Sequence, residues 1–327
     1  MAKVLVTGAS GKAGRYIVDA LAARGHSIRG TYRAQPGTAD IEWRQADLTH
    51  TDDLRALMAD CDAVLHFAGE LSKRALMDAI NVDVTQRLAT AAQDYGVRYF
   101  GHASSIVVYG SPQSRFVDEQ TPRLDPHASI VRQYHAEPYM RDYARTKALG
   151  EIAIERIAST MTVDIYRPAV VVEDDQLLQS RHWSIARKIC ASYRRTQFMP
   201  ATDTAAAIVH LLERGLAGLP ETRAIVEHFN LADAEAQTFR DVMRKAYRAT
   251  GNKQFSVPIS IPAIADLGGN FARYRGTALR YPLGMLRISA EKLLATGFVP
   301  PTGAERAVEE AISLMLAGGG QKETRLR

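Results

Sequence analysis

The segment Thr7-Gly8-Ala9-Ser10-Gly11-Lys12-Ala13-Gly14 follows the apolar run Val4-Leu5-Val6 at the start of the chain. The order reads as a strand, a glycine-rich turn and a helix. That turn lets backbone pass close to a pyrophosphate, and the helix N-terminus points free N–H groups at the charge. Gly8 permits the tight turn, Gly11 the close approach, and Gly14 close helix–sheet packing. The residues Gly8, Ser10, Gly11, Lys12, Ala13 and Gly14 are therefore the candidate phosphate-binding set.

The pattern behind this turn alternates. Lys3–Val6, His26–Tyr32, Ala63–Phe67, Tyr99–Ala103 and Val163–Tyr166 read as strands, with Ile41–Ala46 strand-like. Gly14–Arg24, Asp52–Met58, Asp78–Tyr95 and Pro138–Ser159 read as helices. Such alternation predicts an α/β fold, a doubly wound parallel sheet whose ligands sit at the carboxyl ends of the strands. The chain is 327 residues long, with 46% hydrophobic and 24% charged residues, enough for that core and a smaller C-terminal substrate lobe. The expected division is a core over 1–170, then a mixed region over 171–317 with late core elements and the lobe. A disordered tail is expected over 318–327.

Cys61 and Cys190 lie too far apart in sequence for a disulfide framework or a metal motif, so no metal is expected. The absence of a long apolar stretch predicts no membrane partner. With a strand beginning at the third residue there is no room for a signal peptide, and the expected location is cytoplasmic. The net charge of +5 fits solvated surface and an anionic ligand site, and no nucleic-acid motif accompanies it.

The end of the second strand bears on cofactor choice. An acid there bonds a ribose 2′-OH and repels a 2′-phosphate. This chain has Thr31-Tyr32-Arg33 instead, which favours NADP over NAD if Arg33 pairs with the phosphate and is not a solvated loop residue. Arg15 is a second candidate for that charge. Asp47 either accepts from the adenine amino group or caps the following turn.

Tyr143 and Lys147 stand four apart in a helical stretch and share a face. A nearby ammonium lowers a phenol's pKa, so the pair can pass a proton to or from a carbonyl oxygen while hydride moves. Lys147 can also bond a nicotinamide ribose. Ser104 and Ser105 end the fourth strand, where a hydroxyl can hold the substrate oxygen or serve the turn.

Together these residues resemble the extended branch of the short-chain dehydrogenase/reductase superfamily, which holds the NAD(P)-dependent epimerases and dehydratases. His66-Phe67-Ala68-Gly69, Asn81-Val82, Ser104–Gly110, Tyr143–Lys147 and Arg167-Pro168 look like its successive segments. Thr202–Ala205, Phe229-Asn230-Leu231 and Ser289–Pro300 look like weaker later ones. The resemblance implies a Rossmann core, and a catalytic set of Ser105, Tyr143 and Lys147. Asn81 enters as a proton-relay or helix-capping residue. Leu48, Phe67, Ala68, Gly69 and Pro168 join Asp47 and the turn along the cofactor. It also implies a homodimer through a bundle of the helices at 78–95 and 138–159.

There are departures from the branch. The span from Ser105 to Tyr143 is long, which places extra loop within Ser111–Glu137 near the site. The strand after Arg167-Pro168 lacks the usual Y-G-P, and the dehydratases' Thr-Asp-Glu is absent. Ile28–Arg33 looks most like the NADP-using dihydroflavonol reductase-like members. The expected function is an NADP-dependent reductase or dehydrogenase of a small ketone or alcohol. The alternatives are a nucleotide-sugar epimerase, for which the basic run Arg181–Arg195 would hold a pyrophosphate, and a non-catalytic NADP-binding regulator. The substrate pocket is expected from the 111–137 loop and the irregular second half, where the run over 271–287 is either a substrate contact or surface.

Overall fold

In the computed structural model, residues 1–50, 54–158, 160–195, 197–218, 225–235, 237–257 and 283–318 are described. The runs expected to contact substrate over 271–282 and to form the tail over 319–327 lie outside them.

Val4, Leu5 and Val6 are fully buried because the first strand, β1 (Lys3–Thr7), lies in the interior of a seven-stranded sheet. Alternate side chains serve opposite faces. Val4 and Val6 enter one core with Ile17, Val18 and Leu21 of α1 (Lys12–Ala23). Leu5 enters the other, with Leu54, Met58 and Leu88. The strands β2 (Ser27–Tyr32) and β3 (Glu42–Gln45) extend the sheet to one edge. On the other side lie β4 (Ala63–His66), preceded by α2 (Leu54–Met58), and β5 (Tyr99–Ala103).

Between β4 and β5 the single helix expected over 78–95 is interrupted. A short α3 (Arg74–Asp78) passes into a π-helical segment, Ala79–Val84, and then into α4 (Thr85–Asp94). Hydrophobic periodicity cannot see one extra residue per turn, and such segments concentrate at functional sites.

After β5 the chain makes a short strand, β6 (Phe116–Val117), and a single turn, α5 (Ile130–Gln133). It then enters α6 (Pro138–Ile157), which opens with proline at its first position. β7 (Thr162–Pro168) pairs with β5, and β8 (Val170–Val172) precedes α7 (Asp174–Leu177) and α8 (Ile185–Ala191). β9 (Phe198–Pro200) leads into α9 (Ala201–Ala217), which covers the same face as α1. β10 (Ile225–Leu231) closes the sheet, giving the order β10-β7-β5-β4-β1-β2-β3 with every pair parallel. This is the doubly wound arrangement, with helices on both faces.

A separate apolar cluster lies in the second half. Leu177, Phe198, Val242, Phe255, Val308 and Ile312 pack α7 and β9 against α10 (Phe239–Thr250) and the helix Ala304–Gly318. No described helix is long and apolar enough to cross a membrane.

Candidate active site

All strands of the sheet end on the same side, and two adjoining cavities open there. The outer one, about 240 Å³, lies beyond β1, β2 and β3. Gly8, Ser10, Gly11, Arg33, Asp47, Leu48, Ala68 and Gly69 line it, together with Tyr32. The inner one, about 220 Å³, lies beyond β4, β5 and β7. Ala13, Phe67, Gly69, Tyr143, Lys147 and Pro168 line it. Gly69 and Glu70 belong to both walls. Of the expected cofactor residues, Lys12 and Gly14 line neither; Gly14 is buried under the turn, while Lys12 is exposed.

The glycine turn has a geometry that side chains would destroy. Gly8 adopts φ +72°, and a Cβ there would sit 2.8 Å from the Ala68 amide nitrogen. At Gly14 a Cβ would lie 2.2 Å from the Gly8 carbonyl oxygen. The Gly11 amide donates to that same oxygen at 2.9 Å. Gly11 stands at the N-cap of α1 without a side-chain cap, so the first-turn amides remain available to an anion. A backbone cradle of this shape fits the pyrophosphate of a dinucleotide.

At the adenosine end, the Thr31 hydroxyl accepts from the Gly8 amide at 3.3 Å, a support that the sequence reading missed. Arg33 is exposed, at the cavity wall. Asp47 accepts from the Thr49 amide at 3.1 Å and its hydroxyl at 2.6 Å, and these bonds hold its carboxyl below the usual range. The turn role is thus present, on a residue that also faces the cavity. Arg15, the second candidate for that charge, pairs its exposed guanidinium with Glu173.

His66, the first residue of the His-Phe-Ala-Gly segment, does not reach either cavity. Its ring bridges the hydroxyls of Thr7, at 2.7 Å, and Thr85, at 3.0 Å. Burial, with Lys147 nearby, pushes it down to about 3, so it is a neutral strut. The Thr7 hydroxyl also accepts from the Ala68 amide at 3.3 Å, fixing the loop after β4 to the loop after β1.

Asn81 is fully buried inside the π-helical segment, so it caps no helix. Its carbonyl accepts from the Glu70 amide at 2.9 Å, and its amide donates to the Glu70 carbonyl at 2.8 Å and the Thr146 hydroxyl at 3.1 Å. Through these bonds Asn81 pins the Gly69-Glu70 segment, shared by both cavities, to α6. Replacing Asn81 with Ala strands two backbone groups, a loss of about 1–3 kcal/mol. Thermal melting of Asn81→Ala should fall and a cofactor titration should weaken by about tenfold. Native cofactor affinity in a folded variant would show that this clamp does not shape the cavity.

Tyr143 and Lys147 project from α6 into the inner cavity, with the Lys147 ammonium 5.8 Å from the centre of the Tyr143 ring. Lys147 donates to the Ala103 carbonyl at 2.7 Å. Burial pushes its pKa down to about 8, against an opposing pull from Glu151. The lowered phenol expected from sequence is not what this arrangement holds. Burial pushes Tyr143 up to about 12. Desolvation of the phenolate outweighs an ammonium turned towards a backbone carbonyl.

Ser105 starts a short 3₁₀ turn, Ile106–Tyr109, and its hydroxyl accepts from the Val107 amide at 3.4 Å. Ser105 lines neither cavity, whereas its neighbour Ser104 lines the inner one. Ser104 is committed elsewhere, donating to Glu151 at 2.5 Å. No residue of the 111–137 loop lines either cavity; Arg123 from that loop instead reaches Glu155 at 2.7 Å. In the basic run after Arg181, Lys188 is taken up in packing, whereas Arg187 and Arg194 are exposed. Lys188 is buried and donates to the Arg181 carbonyl at 3.0 Å, while Arg187 lies over the Trp183 ring at 4.3 Å.

A Rossmann-type sheet, a glycine cradle and a Tyr–Lys pair at one strand edge define a nicotinamide-dinucleotide-binding protein of the extended short-chain dehydrogenase/reductase type. The model of the NAD dependent epimerase/dehydratase family matches residues 4–171, and the chain belongs to that family. It is 32% identical to the UDP-glucose 4-epimerase of Mycolicibacterium smegmatis over 181 residues, 50% of this chain and about half (53%) of that protein. It is 26% identical to the 3 beta-hydroxysteroid dehydrogenase/Delta 5-->4-isomerase of Mycobacterium tuberculosis H37Rv over 293 residues, 81% of this chain and 74% of the other. In fold it is similar to a short-chain dehydrogenase/reductase superfamily protein from Agrobacterium tumefaciens with bound NAD. The TM-score is 0.71 at 24% identity, covering 98% of this chain and 99% of the other.

Proposed function

We propose that this protein is an NADP-dependent oxidoreductase that interconverts a ketone or aldehyde and the corresponding alcohol. The observation that carries the reading is the inner cavity, where the Tyr143 phenol and the buried Lys147 ammonium face the strand ends beside Pro168. The bound nicotinamide supplies or accepts the hydride. The chain's own task is the proton and the orientation. With its phenol held protonated, Tyr143 is set to donate to the carbonyl oxygen in the reduction direction. Lys147 stabilises the phenolate left behind, and Ser105, next to the cavity-lining Ser104, is the expected partner of the same oxygen once substrate is bound.

NADP over NAD rests on the outer cavity. The end of β2 offers Tyr32 and Arg33 to it, and Asp47 on the same wall is held by Thr49. NADP should bind the stripped protein at least about tenfold more tightly than NAD, and Tyr32→Asp should reverse that order. Equal affinities of the native protein for the two would sink this part of the reading. Likeness to a UDP-glucose 4-epimerase supports a second reading, a nucleotide-sugar epimerase. Mass spectrometry of the cofactor released from undialysed protein separates them: tightly retained NAD favours the epimerase, and exchangeable NADP the reductase. A homodimer through α4 and α6 is part of the same proposal, checked by light scattering.

A further inference from the structure

Glu151 lies one helical turn beyond Lys147 and two beyond Tyr143, on the same face of α6. It is fully buried, and its carboxylate is shared among three elements. One oxygen accepts from the Ser104 hydroxyl at 2.5 Å and from Arg167 Nε at 3.0 Å. The other accepts from Arg167 Nη2 at 2.7 Å and Arg123 Nη1 at 3.3 Å. Arg167 stands next to the end of β7 and also donates to the Tyr109 hydroxyl at 3.0 Å. Tyr109 donates in turn to Asn230 near the end of β10, at 2.7 Å. One carboxylate thus ties the ends of β5 and β7 directly, and β10 indirectly, to the helix that carries Tyr143 and Lys147.

The charges around this group are accounted for. Burial alone would raise the Glu151 carboxyl, but the bonds and charge of Arg167 hold it below its usual range, so it is ionised. His228 approaches it to 4.0 Å from β10, and Glu155 accepts from Arg123 and lies 3.0 Å from His228. Glu151, Glu155 and His228 come within a metal ion's reach of one another, but guanidinium groups already occupy both carboxylates. On the other side, Lys147 faces Tyr143 on α6, and His66 on β4 and His102 on β5, both imidazoles kept neutral chiefly by burial. Among the groups that act on the Lys147 ammonium, Glu151 is the negative one.

We propose that Glu151 is a positioning residue of the catalytic centre: its carboxylate locks Ser104-Ser105 and the end of β7 against α6, and places a buried negative charge one helical turn from Lys147. The inference rests on the reading of Tyr143 and Lys147 as the acid–base pair. A plain structural ion pair with Arg167 is the competing account.

The test needs no substrate. Lysine is labelled with carbon-13 at its ε position, the Lys147 resonance is assigned by its loss in Lys147→Met, and its titration is followed by NMR. In Glu151→Gln the Lys147 midpoint should fall by about one pH unit, because an opposing charge has gone. The single variant leaves Arg167 without its partner, so Glu151→Gln combined with Arg167→Gln removes both charges and keeps a bonded pair. The midpoint should stay below native in that double variant also, with NADP affinity held within about twofold because Glu151 touches neither cavity. A native midpoint in the double variant would overturn the proposal and leave only the structural ion pair. A loss of NADP affinity in step with the shift would overturn it as well, by placing the effect in the cofactor site. Turnover of Tyr143→Phe reads the underlying assignment separately: unchanged turnover would remove the acid–base reading, whatever Lys147 does in the titration.

Discussion

Tyr143→Phe is expected to lower turnover by about 10²–10⁴-fold, the usual contribution of a positioned acid or base. The substitution removes one oxygen from a side chain whose pKa burial pushes up to about 12. The ring stays, so the cavity keeps its shape, and cofactor affinity should change by no more than about twofold. The measurement is a kcat with whichever carbonyl substrate a panel reveals, beside a fluorescence titration of cofactor. A variant that keeps a tenth or more of the native rate would place proton transfer elsewhere. Function that persists unchanged, with no turnover in either protein, would favour a cofactor-binding regulator.

Gly14→Ala should weaken cofactor binding by at least about 100-fold. The added Cβ would lie 2.2 Å from the Gly8 carbonyl oxygen and 2.7 Å from the Ala9 Cα, and both neighbours are backbone. Neither can turn aside as a flexible side chain would, so the start of α1 must move off the turn. That displaces the Gly11 amide from its 2.9 Å bond to Gly8 and opens the anion cradle. A dissociation constant raised by at least about 100-fold, with about 1–3 kcal/mol lost from the fold, is the expected outcome. Calorimetric cofactor titration and thermal melting read the two parts separately. Native binding by the variant would mean that α1 can pivot without consequence for the phosphates.

The features legible in the sequence are those whose chemistry is local. The Gly8–Gly14 turn announces itself because backbone passing close to backbone excludes side chains, and only glycine records that in the chain. Tyr143 and Lys147 are legible because helical spacing places them on one face. The parallel sheet follows from strands alternating with helices. What escaped depends on partners far away in sequence. Arg15 follows the glycine turn in sequence, but its partner Glu173 lies 158 positions on and no local pattern announces it. The capping role open to Asn81 in sequence is absent because a π-helical segment holds it, and its bonds to Glu70 and Thr146 reach partners that no local pattern shows. The lowered phenol failed for a similar reason: spacing gives proximity to Lys147, but the Ala103 carbonyl decides which way that ammonium points. Glu151 alone carried a usable signal, the next step of the same four-residue spacing.

The sheet order separates two properties of this protein. The outer cavity is built beyond β1, β2 and β3, and the inner one beyond β4, β5 and β7, with Gly69-Glu70 on the seam. On the proposed function, cofactor preference and reaction chemistry are written on opposite halves of one scaffold. A lineage, or an engineer, can revise the β2 end to change the redox currency without disturbing Ser105, Tyr143 and Lys147. Conversely, a new substrate can be recruited on the β5–β7 side while the dinucleotide keeps its seat. The Asn81 clamp on Glu70 is the joint across which the two halves must stay in register, and it limits how far either can drift alone.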